Sequence, residues 1–166
     1  MKYTVTHKFN YPLSDLLAAR EDRYKHLDRF PDLKNITLID ERKEGNKIFQ
    51  KRKISLVGSL PPVMANMLEE AALLEESVFD TETNTHDFKL FPPKNEKVVT
   101  IKGTSLYSET SSSTSQRSYE VEVKSSVFIV GGLIETAIEE IHKHSLEKDK
   151  NSILKFLQDK TETNAG

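Results

Sequence analysis

The sequence contains no cysteine and no tryptophan. Without cysteine there is no disulfide, no thiolate nucleophile and no cysteine metal site. The missing tryptophan and a hydrophobic content of 36% predict a modest core. Neither sign of charge dominates: 24 Lys and Arg stand against 26 Asp and Glu, for a net charge of -2. No whole-chain field therefore draws the protein to nucleic acid, and none is expected as a partner. No stretch approaches the roughly 18 consecutive apolar residues of a membrane-spanning helix. The opening MKYTVTHKFNYP alternates instead of forming the apolar core of a signal peptide, so a soluble, cytoplasmic protein is expected. Phosphate-binding loop, Gly-rich dinucleotide motif, His-Glu-x-x-His and nucleophile elbow are all missing, and no cofactor is expected. His142 and His144 are two positions apart, which places them on different sides of a helix, and His26 stands alone; no metal site is expected.

The longest organised stretch is residues 127–157. Val130, Leu133, Ile134, Ala137, Ile138, Ile141, Ile153, Phe156 and Leu157 recur in steps of three and four, one apolar stripe on a helix. Gly131 and Gly132 mark its start, and its length is roughly 40 Å. Polar residues break the stripe around His142, Ser145 and Asp149, so the second half is expected to pack less tightly or project. A helix of this kind needs a broad apolar partner.

The rest of the chain supplies a sheet. Tyr3, Val5, His7 and Phe9 alternate with polar residues in a half-buried strand, and a helix follows through Leu13, Leu16, Leu17, Arg20 and Tyr24. Strands are predicted at 34–43 and 47–57 about a Glu44-Gly45-Asn46 turn. A short helix to about Glu70 leads into another strand, and further strands are predicted at 85–91, 97–107 and 117–127. Residues 108–115 read as a flexible Ser/Thr loop. The 166 residues suit one domain over 1–160 and a polar tail over 161–166. The fold class is α+β: an antiparallel sheet of six to seven strands with one face covered by the C-terminal helix.

Three features carry a family resemblance. They are Gly58-Ser59-Leu60-Pro61-Pro62-Val63-Met64 after a strand, the strand from Tyr119, and the helix entered through Gly131-Gly132-Leu133-Ile134. Together with the element order, they resemble the START-like (SRPBCC) helix-grip superfamily, and within it the PRELI-like lipid-transfer proteins and bacterial START-like families. The resemblance implies a curved sheet gripping the C-terminal helix, with a ligand cavity between. The strand phases turn His7, Gln50, Arg52, His86, Tyr107 and Tyr119 inward. Met64, Met67, Leu133, Ala137, Ile138 and Ile141 would complete the cavity wall. An inward Arg52 calls for an anionic partner, either a ligand headgroup or carboxylate, or a carboxylate of the chain such as Asp40 or Glu41. Leu60, Val63, Met64 and Met67 form an apolar segment suited to gating the cavity, touching a membrane, or simply capping the core.

Three functions follow as expectations. The first is binding or transfer of a hydrophobic small molecule, a lipid above all, with no catalytic residue required. The second is an enzyme of the cyclase or hydrolase kind, which needs an inward acid–base group such as His86. The third is an interaction module with a filled core.

Overall fold

A computed structural model describes residues 1–165. The chain runs β1 (Lys2–Phe9), α1 (Leu13–Asp22), β2 (Ile36–Glu44), β3 (Lys47–Ser55), β4 (Ala72–Asp80), β5 (Thr85–Phe91), β6 (Thr100–Ser111), β7 (Thr114–Lys124) and α2 (Gly131–Ala165). Single 3-10 turns occupy Arg23–Lys25, Pro31–Asn35 and Pro62–Met64. The seven strands form one antiparallel sheet in the order β1-β7-β6-β5-β4-β3-β2. This is the expected helix-grip architecture, and the alternation that predicted it is the cause. Tyr3, His7, Phe9, Phe88, Leu90, Tyr119, Val121 and Val123 are all buried on the inner face, while their neighbours in sequence, Phe91 apart, are exposed or half-exposed. Gly45 and Asn84 take the positive φ (58° and 56°) that their hairpin turns require.

The core has two apolar lobes. One gathers Tyr3, Met64, Leu73, Phe88, Leu90, Ile101 and Val121 around Ile134 and Ile138 of α2. The other gathers Phe9, Leu16, Ala19, Phe30, Leu33, Phe79 and Tyr107 around Ile153, Phe156 and Leu157. Each fully buried aliphatic or aromatic side chain contributes roughly 1.5–3 kcal/mol, so both ends of α2 are firmly held. The second half of α2 therefore does not project. The polar break in its stripe marks the level where it passes between the lobes.

Other expectations are corrected. Residues 108–115 are not a loose loop: β6 and β7 run through them and turn only at residues 112–113. Cross-strand hydroxyl pairs, Thr110 with Thr114 (2.6 Å) and Ser111 with Thr114 (2.7 Å), support the hairpin, and Ser115 Oγ donates to the Tyr11 carbonyl (2.8 Å). The expected short helix reaching Glu70 is only the turn Pro62–Met64, because consecutive prolines open it and the chain then bends to deliver Met64 and Met67 to the core. Residues 161–165, read as a tail, continue α2. Leu133 is 64% exposed, so it lines no cavity. The sheet grips only one face of α2, the one carrying Ile134 and Ile138, and Leu133 lies a hundred degrees away from Ile134.

Candidate functional site

Between the two lobes lies a layer of polar side chains, fixed by the same alternation that builds the core. Arg117 precedes Tyr119 and Val121 in phase on β7, and Ser105 and His86 lie beside Tyr119 in register on β6 and β5. Arg52 and Glu75 face one another from β3 and β4. Asp149 comes from the polar break of α2, and Arg20 and Arg23 come from α1 and the turn after it.

Arg117 is the centre. Its Nε donates to Ser105 Oγ (3.1 Å), one terminal nitrogen reaches Asp149 (3.5 Å), and the other reaches His86 Nδ1 (3.5 Å). Tyr107 and Tyr119 hold its guanidinium between them at 4.6 and 4.4 Å. Arg23 binds the same carboxylate at 2.7 Å and donates to Ser152 Oγ (3.0 Å). Glu21 serves Arg20 (3.0 Å) and Arg52 (3.4 Å), and Arg52 lies over the ring of Tyr24. Four guanidinium groups thus pair with Asp149 and Glu21, and Arg52, Arg117 and Arg20 also act on Glu75 through their charge.

Burial alone would raise the Asp149 carboxyl, but Arg23 and Arg117 outweigh it and hold the pKa below the ordinary value. Glu75 goes the other way: burial raises its carboxyl, and Arg52, Arg117 and Arg20 only partly offset this. Burial, then the charges of Arg117, Arg20 and Arg52, keep His86 well below the usual histidine range, so its imidazole is neutral. His142, whose Nδ1 shares a 2.5 Å hydrogen bond with the Tyr3 hydroxyl, falls to about 4, mainly through burial.

Arg117 can only donate, so His86 Nδ1 must accept and Nε2 must carry the hydrogen. Among the described residues that Nε2–H has no partner, and neither does the Tyr107 hydroxyl or Arg23 Nε. All three orphaned groups are buried, all three can donate, and each belongs to a residue touching Arg117 or sharing its carboxylate. Asp149 keeps 25% of its side chain accessible, and Glu75, Tyr24 and His142 are half-buried. Among the described residues no group of three His, Asp or Glu is placed to hold a metal ion.

Of the residues singled out from sequence, His86, Tyr119 and Arg52 belong to this layer, and Ala137 and Ile141 lie half-buried on the gripped half of α2. His7 is buried edge-on to Tyr119 and reaches Glu147 at 3.4 Å. Gln50 is buried and donates to Glu41 (2.8 Å). Met64, Met67 and Ile138 pack in the first apolar lobe. Sequence reasoning missed Arg117, Glu75 and Asp149. A strict alternation through Tyr119 and Val121, and through Leu73 and Phe79, would have placed the first two inside.

A large open trough of about 1130 Å³ crosses the outer face of the sheet, walled by Thr4, Glu120, Lys102, Asp87 and Glu76 and floored by the backbone of the registered row Tyr3, Val121, Gly103, Phe88, Ser77 and Gln50. Its rims carry paired charges, Lys2 with Glu122 (3.7 Å) and Lys51 with Glu76 (3.9 Å). Small-molecule sites bury most of the ligand surface, which an open trough does not do.

The fold is shared with solved structures of low sequence identity. The Zhui aromatase/cyclase from a Streptomyces species has a TM-score of 0.65 at 10% identity, with 97% of this chain and 96% of that one covered. Norcoclaurine synthase from Thalictrum flavum, solved with dopamine and hydroxybenzaldehyde, scores 0.64 at 12% identity over 96% and 88%. A START superfamily protein from Mycobacterium smegmatis scores 0.59 at 8% identity over 93% and 98%. No curated protein matches the sequence. Among the described residues no helix is long and apolar enough to cross a membrane. The family model described as "Protein of unknown function (DUF2505)" matches residues 4–157, from the first strand to the last apolar turn of the gripped helix, and the chain belongs to that family.

Proposed function

We propose that the protein binds a hydrophobic small molecule between the sheet and α2, with an oxygen-bearing, anionic end of the ligand in the Arg117 layer. One observation carries this reading: His86 Nε2, Tyr107 Oη and Arg23 Nε are buried donors without acceptors. Buried polar groups in native interiors are nearly always paired, and three donors left over around four guanidinium groups call for an acceptor from outside the chain. A carboxylate or phosphate on an apolar body has that chemistry, and lipids are the broadest class that does.

Native mass spectrometry of the purified chain, followed by solvent extraction, tests the reading. A co-purified or added long-chain carboxylic acid is expected to bind, and its methyl ester to bind more weakly. Tyr107→Phe deletes an unpaired buried hydroxyl, so it should leave the melting temperature unchanged or higher while weakening acid binding about tenfold, the loss of one hydrogen bond to a charged group. Unchanged affinity removes the hydroxyl from the site; failure of both acid and ester to bind removes the cavity reading. Arg52→Ala is expected to weaken acids more than esters, and equal losses would assign Arg52 to structure alone.

Catalysis is the second reading, favoured by the neutral His86 imidazole whose free Nε2–H is suited to polarise a carbonyl. The fold neighbours named as aromatase/cyclase and norcoclaurine synthase show that such chemistry is done on this fold. A candidate carbonyl substrate that emerges altered from the incubation with the native chain, and unaltered with His86→Phe, would establish it.

A further inference from the structure

The connections that follow β3, β5 and β7 all leave the same end of the antiparallel sheet. At that end the Leu60, Val63 and Met67 side chains, which the sequence offered as a membrane contact, pack instead onto the first apolar lobe together with Val127 and Val130. The link from β7 to α2 does the opposite with its next residues. Phe128 is 88% exposed, Ile129 85% and Leu133 64%. Ile129 also holds φ at +70°, a left-handed conformation that a β-branched residue strongly disfavours. Two consecutive large apolar side chains are thus turned outward on a strained turn, next to a third on the first turn of the helix.

We infer that this tip is a docking element for an anionic lipid surface. A stable protein interface needs some 20–30 residues a side, which three side chains on one turn do not supply, whereas insertion into a bilayer needs only a few apolar side chains and nearby positive charge. The charge is present. Each carboxylate of the neighbouring loops has a cation beside it: Glu69 with Lys94, Glu70 with Lys53, Glu96 with Lys89, and Glu135 with the Met1 ammonium. Lys97, whose carbonyl is tied to Ser126 of the tip (2.8 Å), is exposed and has no ion pair among the described residues. Lys124 is 75% exposed and shares Glu122 with Lys2. α2 opens here with no acidic residue in its first turn, so its positive end is also uncompensated. On a chain of net charge -2, this end is locally cationic.

The absence of tryptophan makes the test direct. Phe128→Trp gives the full chain a single indole at the tip, with an unchanged melting temperature because the side chain lies outside the core. On adding vesicles of phosphatidylcholine mixed with phosphatidylserine, its emission is expected to shift to the blue, less so with phosphatidylcholine alone and less at high salt. Adding Ile129→Asp should weaken vesicle binding on the order of tenfold or more. An emission maximum indifferent to both kinds of vesicle overturns the proposal, as does equal binding by the Ile129→Asp chain. A blue shift that instead follows protein concentration without vesicles makes a second copy the occupant and overturns it too. The inference stands apart from the interior site: Tyr107→Phe is expected to leave vesicle binding untouched.

Discussion

Asp149→Asn is expected to lower the melting temperature by about 6–12 °C at neutral pH. Among the described residues Asp149 is the one carboxylate that both Arg23 and Arg117 touch. Removing its charge leaves two buried guanidinium groups facing each other and costs about 3 kcal/mol, the lower end of what breaking a buried pair costs, because a quarter of the Asp149 side chain is accessible. A chain of this length loses about 2–4 °C per kcal/mol. The pH dependence separates charge from shape. The folded-state pKa of Asp149 lies below the ordinary 3.8, so its stabilisation is fully present above that value and is lost as pH falls through the folded pKa. The melting curves of the two chains should therefore converge in acid. A difference of the same size at pH 7 and at the acid limit would mean that Asn disturbs packing and that the ion pairs contribute little.

Gly103→Val is expected to cost about as much, for a steric reason. A Cβ at Gly103 would come within 2.5 Å of Phe88 Cζ and 2.8 Å of the Glu120 carbonyl oxygen. The Phe88 ring can rotate; the Glu120 oxygen is backbone of the paired strand and cannot move without bending β7. Valine's preference for strands is worth at most about 1 kcal/mol, against about 3 kcal/mol for forcing an overpacked core apart, so the clash wins. Chemical denaturation of Gly103→Val, and of Gly103→Ala with and without Phe88→Leu, measures the two contacts separately. The Leu change should recover only part of the loss. Full recovery would show that the ring alone closes over Gly103, and no loss in Gly103→Val would show that the sheet has room there.

The strands were legible because alternation is a local signal. Tyr3, His7 and Phe9, or His86, Phe88 and Leu90, announce an inner face whatever the rest of the chain does. Composition misled where pairing decides: residues 108–115 look like linker, yet Thr110 and Thr114 become cross-strand partners once β6 and β7 meet. The polar layer was hidden for a related reason. Asp149 interrupts an apolar stripe, and Arg117 begins an apolar strand; each reads as an end of burial until its counter-charge is known to face it. Helical periodicity likewise gave Leu133 to the interior, because a stripe of apolar residues does not reveal how narrow a face its partner covers. The long helix and the antiparallel sheet beneath it could be read from spacing, and the grip between them from the family resemblance, while the chemistry between the two halves of α2 could not.

The first strand is held by the last. The Met1 ammonium donates to the Val123 carbonyl, 122 residues away, and every residue of β1 pairs along β7. During synthesis the N-terminal strand therefore emerges long before its only neighbour in the sheet, and it stays unpaired while the β2 to β6 meander is being made. The meander can form by local hairpins; β1 closes onto it only after β7, and α2 fills the grip last of all. Such distant pairing slows folding and leaves an apolar sheet face open until α2 leaves the ribosome. A chain shortened within α2 should then be a target for chaperones and proteases, and one that begins at β2 and carries β1 spliced behind α2 would have to close its sheet around a helix already seated.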